Sequence, residues 1–565
     1  MGVNKMSREY IDLKDLLNDI EEKFSDEIGY KVKKNGKIEN IKYSKYVEDV
    51  KSLGEYLLNL NISNSRVAFI SPNRYEWAVT YMAVATSNLI SVPLDRSLPE
   101  NEFKALLVRS EAEVLIYDQK YSESIEKFKQ DSEIKVKHFI NMDTDFNEVI
   151  SDGRERLKQN DCKYNKIKIE NDVMKFMLFT SGTTAVSKCV MLSHKNICSN
   201  IKSISETLNV TEKDTVLSFL PLHHTFECTT GFLYVISVGA KIAYCEGIRH
   251  FANNLKEYEI TAFINVPAMI EGLYKNVWKT LEKNKKDKTV KVALKASSAL
   301  MKVGLDVRAN VFKQIHQGLG GKIRFIVSGA AALDPVVSKT LNDMGIVIYQ
   351  GYGLTETAPV LSVEKQGETR TGSVGKALPG IEIKIKDPNE EGIGEILAKG
   401  PNVMLGYYND EESTKEVLND GWFSTGDLGK TDKDGYIFIT GRKKDVIVLK
   451  NGKNVFPDEI EVLINKLDCV SESIVFGTMA EDGDIILNAK IVYNKEEVAA
   501  KMGDISEEKL KEFYWNKIKT VVNKKMPTYK YIKNIVITDE ALIKTTTNKV
   551  KRFEEVKKMQ KQGIA

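Results

Sequence analysis

Over roughly the first 350 residues, short runs apolar on both faces alternate with stretches of helical period. The runs are residues 66–71 (RVAFIS), 113–117 (EVLIY), 175–179 (KFMLF), 262–266 (AFINV) and 322–327 (KIRFIV); amphipathic segments such as 76–87 and 335–344 lie between them. A strand that is apolar throughout must be covered on both faces, which a mostly parallel sheet flanked by helices provides. The expected fold class is therefore α/β, a large domain of layered sheets. After about residue 370 the texture changes to glycine-punctuated short strands at 381–387, 394–399, 436–440 and 446–449, the pattern of a small β-rich subdomain. The final stretch mixes strands and helices again and is long enough for a small α+β domain. We place the boundary so that residues 1–443 form the large domain and 444–565 a separate C-terminal one.

Composition narrows the function classes. Basic and acidic residues nearly cancel, 82 against 79, and the lysines are spread along the chain, so nothing marks a nucleic-acid binder. Residues 1–17 carry charges where a signal peptide needs an apolar stretch, and Met6 breaks the myristoylation pattern after Gly2. The longest apolar run, residues 231–240, is too short to span a bilayer. Six scattered cysteines with no CxxC pair fit reduced thiols rather than a disulfide frame or a zinc site. A cytoplasmic protein is expected. The lysine-rich stretch 282–302 reads as a solvated surface helix or loop, with peripheral membrane contact as the alternative.

Chemistry concentrates first in Thr180-Ser-Gly-Thr-Thr-Ala-Val-Ser-Lys188. It follows an apolar strand and precedes a helical segment starting near His194. Small hydroxyl residues and Gly182 let the backbone approach an anion, with Ser181, Thr183 and Thr184 adding donors and Lys188 a point charge. The GxxxxGK[ST] spacing is absent, so this is no Walker A loop, and a plain turn is the competing interpretation.

The segment resembles the phosphate loop of the adenylate-forming superfamily, which includes acyl-CoA synthetases, firefly luciferase and peptide-synthetase adenylation domains. Departures from that loop fall at Ala185, Ser187 and Cys189. Further segments follow in the family's order, from about residue 20 to 555. Residues 220–227 (LPLHHTFE) resemble the second motif, whose histidine near the acyl pocket is matched to His224; a core histidine at a helix start is the alternative. Residues 328–333 (SGAAAL) are small enough to leave a slot for adenine at Gly329, Ala330 and Ala331, or simply to pack a strand against a helix.

Residues 349–357 (YQGYGLTET) are the most specific segment. Resemblance puts Gln350, Gly351 and Tyr352 beside adenine, Thr355 at the α-phosphate, and Glu356 with Thr180 on Mg²⁺, for which a carboxylate is a suitable hard ligand. Asp427, in GWFSTGDL, can accept from two ribose hydroxyls or close an Asx turn. Resemblance makes Arg442 a ribose or phosphate contact, Lys444 the hinge, Gly452 and Lys453 part of a loop near the pantetheine arm of coenzyme A, and Lys549, in IKTTTNK, a bridge between substrate carboxylate and ATP. The implied catalytic set is Lys188, His224, Thr355, Glu356 and Lys549.

The resemblance implies acid activation by ATP as an acyl-adenylate, then transfer to the thiol of coenzyme A. Long-chain and medium-chain fatty acyl-CoA synthetases match best, through LPLHHTFE and SGAAALDP. Two alternatives remain at this stage: transfer to acyl carrier protein, and a degenerate nucleotide-binding module.

Overall fold

The computed structural model describes residues 8–60, 62–180, 187–450, 452–480, 485–544 and 550–561. Two large sheets dominate its first three-quarters. One has seven strands in the order Gly406–Tyr407, Lys188–Leu192, Phe176–Thr180, Ile90–Pro93, Arg66–Ile70, Val114–Tyr117, His138–Asn141. The other has nine, with Phe325–Ser328, Ala262–Asn265, Thr215–Ser218 and Lys241–Tyr244 running parallel at its centre. The apolar runs are thus strands of the two sheets, each end within three residues of its expected place.

Both sheets contribute to one shared core with the helices Leu13–Phe24, Tyr43–Leu58, Tyr75–Thr86 and His194–Ser205. Helix Tyr75–Thr86 is buried from Trp77 to Thr86. Its Trp77 and Tyr81 rings stack at 5.3 Å, and Tyr81 stacks on Phe176 at 5.6 Å. Such a helix, apolar all round, is stable only when covered on every side.

The β-rich subdomain is a five-stranded antiparallel sheet built from Glu382–Lys386, Gly394–Lys399, Trp422–Thr431, Leu418–Asn419 and Ile437–Arg442. The chain then enters a small α+β domain with its own core, which includes Ile460, Ile491, Tyr514 and Ile535 around the three strands Val470–Met479, Ile485–Tyr493 and Asn534–Thr538. The expected α/β architecture with a large first domain and a small last one is what the chain adopts. An ion pair between Lys466 and Asp334 (3.0 Å) crosses between the two.

Two local features differ from the expectation. The glycine–threonine segment does not run from strand to helix. Phe176–Thr180 and Lys188–Leu192 pair antiparallel with Thr180 opposite Lys188, so the segment is the connection of a hairpin and Lys188 opens a strand. Asp427 lies inside the long strand Trp422–Thr431, opposite Arg442, and closes no Asx turn.

Candidate active site

The strand ends and turns that carry the motifs gather beside the β-rich subdomain. Thr180 Oγ donates to the Lys188 carbonyl (3.3 Å), closing the base of the hairpin connection. Residues Ser181, Gly182, Thr183, Thr184, Ala185 and Val186 lie outside the described residues. Lys188 Nζ sits 4.6 Å over the Tyr407 ring, and the Tyr407 hydroxyl donates to Glu356 Oε1 (3.0 Å). Burial, reinforced by the Glu356 charge, raises the Tyr407 pKa, so the phenol stays a donor. Glu356 belongs to the short turn Thr355–Thr357, packed on the strand Lys188–Leu192, and its carbonyl accepts from the Met404 amide (2.8 Å). Lysine, tyrosine and glutamate from three distant segments therefore form one chain of contacts.

A second cluster lies along the strand Val347–Gly353. The Tyr352 hydroxyl donates to Asp427 Oδ2 (2.7 Å), and Arg442 Nε pairs with Asp427 Oδ1 (2.8 Å). Gly426 has φ +70°, and the pairing with Gly394–Lys399 slips at this point, a bulge that re-aims the buried Asp427. Lys444, in the turn Lys443–Asp445, has its pKa lowered by burial and then by the Arg442 cation, with Lys188 adding to the same effect. Asp445 and Asp427 offset part of this effect, so Lys444 sits in a mixed field of neighbouring charges.

The small-residue turn follows the strand Phe325–Ser328. A Cβ at Gly329 would meet the Phe226 ring at 2.7 Å, so only glycine fits there. Ala330 holds φ +69°, and Ala330 and Ala331 are exposed. Among the described residues, Gln350 Nε2 and Ser328 Oγ are buried without a hydrogen-bond partner. Buried polar groups are normally paired, so these two suit a polar planar ligand such as a purine edge. Gly351 continues this strand, paired opposite Val363. The Gln350 amide donates to Glu364 (3.0 Å), whose carboxyl burial pushes up to about 7.

His224 precedes the wide helix Phe226–Leu233, where its carbonyl accepts from the Cys228 amide (2.9 Å). Its ring lies 4.0 Å from that of His223, and His223 Nε2 faces Asp95 Oδ2 at 3.4 Å. Glu227 is fully buried, and burial pushes its carboxyl to about 8. In the C-terminal domain, Gly452 has φ +78° in the turn joining Ile447–Val448 to Asn454–Val455, and Lys453 Nζ lies 4.4 Å over the Tyr529 ring. Lys549 lies outside the described residues. Lys544 and Val550 are bridged across its segment, and Arg552 just beyond pairs with Glu461 (2.6 Å) and Asp458 (3.0 Å).

The structure therefore brings Thr180, Lys188, Thr355 and Glu356 into one neighbourhood and Tyr352, Asp427, Arg442 and Lys444 into an adjoining one. Sequence reasoning missed Tyr407, Phe226 and Glu364. Only Tyr407 had a visible setting, the GYY triplet after an apolar run, and nothing local ties it to Glu356.

Comparison with known proteins identifies the family. The model of the family "AMP-binding enzyme" matches residues 23–408, and that of the "AMP-binding enzyme C-terminal domain" matches residues 444–562. Long-chain-fatty-acid–CoA ligase 5 of Rattus norvegicus is 30% identical over 488 residues, covering 80% of this chain and 71% of its own. Among solved structures, the anthranilate CoA ligase AuaEII in complex with anthranoyl-AMP superposes with a TM-score of 0.78 at 20% identity, covering 99% of both chains. The o-succinylbenzoate CoA synthetase of Bacillus subtilis, in complex with its acyl-adenylate, gives 0.72 at 22% identity, covering 95% of this chain and 97% of its own. With the two family models matched in order over most of its length, this chain belongs to the AMP-binding enzyme family.

Proposed function

We propose that the chain is an ATP-dependent acid–CoA ligase acting on a medium- or long-chain fatty acid. The observation that carries the reading is Asp427 held by Tyr352 and Arg442 beside the unpartnered Gln350 donor, with Lys188 against the Tyr407 that binds Glu356. That arrangement offers an anion site, a ribose acceptor and a base slot in sequence. Similarity to long-chain-fatty-acid–CoA ligases supports the acid class.

In the first half-reaction a carboxylate oxygen attacks the α-phosphorus of ATP. The bond to the β-phosphate oxygen breaks, and pyrophosphate leaves an acyl-adenylate. The protein's part is positioning and charge neutralisation. Lys188 offsets phosphate charge, Asp427 accepts from the ribose hydroxyls, and Gln350, Gly351, Gly329, Ala330 and Ala331 border the base, with the Tyr352 ring against it. Thr355 donates to the α-phosphate. Glu356 fits a Mg²⁺ ligand, because Tyr407 occupies only one of its oxygens and no lysine or arginine pairs with it among the described residues. Thr180 would complete the protein's share of that ion, which supplies charge compensation on the phosphates. His224 borders the acyl group, and Lys549 bridges carboxylate and ATP by resemblance.

In the second half-reaction the coenzyme A thiol attacks the acyl carbon, the carbon–oxygen bond to phosphate breaks, and AMP leaves. Rotation about Lys444 would withdraw Lys549 and bring Gly452 and Lys453 to the pantetheine arm.

The test is pyrophosphate release from Mg-ATP across a panel of carboxylic acids, with and without coenzyme A. Release driven by fatty acids, with thioester formed only when the thiol is present, is expected. Release without any thioester would reject coenzyme A as acceptor, and release driven only by aromatic acids would reject the fatty-acid assignment.

A further inference from the structure

Two antiparallel helices, Pro267–Lys283 and Asp287–Lys302, leave the large domain after the strand Ala262–Asn265. The second helix packs inward through Val290, Ala293 and Leu294, with Ser297 buried beside them. Its outward face carries Lys288, Lys291, Val292, Lys295, Ala296 and Ala299, all exposed and spaced three and four apart, hence on one side of the helix. At its end come Leu300, Met301, Val303 and Leu305, all exposed, with Val303 71% and Leu305 58% accessible. Gly304, at φ +82°, turns the chain at this tip.

Single exposed apolar side chains are ordinary, but a cluster of them is not. Of fifteen large exposed hydrophobic residues among the described ones, six fall between residues 292 and 311. Charge follows the same segment. Residues 275–302 hold nine lysines against two acids, whereas the whole chain carries only +3. One of those acids, Asp287, already faces Lys291 at 3.8 Å.

We infer that this helix and its apolar tip form a docking surface for an anionic lipid bilayer. A row of lysines along one face meets a plane of negative headgroups. The tip, short and apolar, seats Val303 and Leu305 at the acyl boundary, and lysine stems cover the apolar surface between. Charge complementarity chooses the bilayer: Lys288, Lys291 and Lys295 are spread over two helical turns of one exposed face rather than converging on a pocket. No helix among the described residues is long and apolar enough to cross a membrane, so contact at this face is peripheral. The inference does not depend on which acid the enzyme activates.

The experiment is co-sedimentation of the full chain with vesicles of phosphatidylcholine alone and with vesicles containing phosphatidylglycerol. Binding to the anionic vesicles only, weakened by salt, is expected. Val303→Asp with Leu305→Asp should abolish it. Lys288→Glu, Lys291→Glu and Lys295→Glu together should weaken it on the order of 100-fold, from about fivefold per lysine. Pyrophosphate release with a water-soluble acid, equal in parent and variants, establishes that the variants are folded. Equal binding to neutral vesicles, or variants that bind like the parent, would overturn the proposal. So would a self-association of the parent that Val303→Asp dissolves, since the patch would then belong to a second copy of the chain.

Discussion

Glu227→Gln should make the protein more stable at neutral and alkaline pH, by an amount set by how deeply the carboxyl is buried. The side chain has no solvent exposure, and neither carboxyl oxygen has a hydrogen-bond partner among the described residues. Ser218 and the amides of Phe219 and Leu220 lie near enough to favour the anion slightly, but burial dominates and pushes the carboxyl from 4.5 to about 8. The folded protein thus holds a proton that the unfolded chain releases. From about pH 4.5 to about 8 the unfolded state binds fewer protons, so stability falls as pH rises, by about 1.4 kcal/mol per pH unit. At pH 7 the accumulated cost is about 3 kcal/mol. Glutamine has the same shape without the titration, so its variant should match the parent near pH 5 and exceed it increasingly toward pH 8. Thermal unfolding of both proteins across that range reads the difference, with parallel curves for the two proteins as the refuting result. Parallel curves would mean that water or a nearby donor already solvates the Glu227 anion. Because the large domain is big and its unfolding need not be reversible, the comparison between proteins at each pH carries the test rather than an absolute free energy.

The remaining predictions concern the reaction. Asp427→Asn should raise the KM for ATP about 10- to 100-fold, the worth of one charge-assisted hydrogen bond, and an unchanged KM would remove Asp427 from the ribose. Glu356→Ala should raise the Mg²⁺ concentration needed for half-maximal pyrophosphate release, whereas unchanged activity at limiting Mg²⁺ would take it out of the ion site. Lys549→Ala should suppress adenylation while sparing thioester formation from supplied acyl-adenylate; equal loss of both steps would count against its assigned role. Lys466→Ala breaks the ion pair to Asp334 and should change the ratio of the two half-reaction rates, since that pair exists only in this placement of the domains. A ratio equal to the parent's would make the pair a surface contact of no consequence.

What the sequence made legible follows from where the information is local. Runs such as 262–266 and 394–399 announce strands because burial on both faces, or glycine on both sides, shows within five or six residues. The base of the phosphate loop was harder. Lys188 opens a strand because residues 188–192 pair back on 176–180 as a hairpin. A strand that pairs with its hairpin partner on one side and with Gly406–Tyr407, more than 200 residues away, on the other has no local helix-versus-strand signal of its own. The same distance hid Tyr407, which joins Lys188 to Glu356 only once that strand is added to the sheet edge. Asp427 could be picked out as a chemical group, but its aim comes from a bulge in the subdomain sheet, a property of register rather than of residue type. Glycines divide in the same way. Gly452 reads as a turn and is one, whereas Gly329 is required by the Phe226 ring pressed against it from another segment.

The two clusters of the site differ in what holds them. Lys188, Tyr407 and Glu356 all belong to the large domain, so their contacts with one another do not involve the last domain. Asp427 and Arg442 are paired across a hairpin of the β-rich subdomain, and Lys444 follows two residues later, where the chain leaves it. A rotation there leaves the Tyr352–Asp427–Arg442 contacts standing while carrying Lys544 and its segment away. On the function proposed above, a hinge there would separate nucleotide binding, needed through both half-reactions, from Lys549, needed in only the first. An enzyme that keeps AMP in place while exchanging what faces the acyl group needs that division, and the hinge proposed at Lys444 would put it between Arg442 and Lys444.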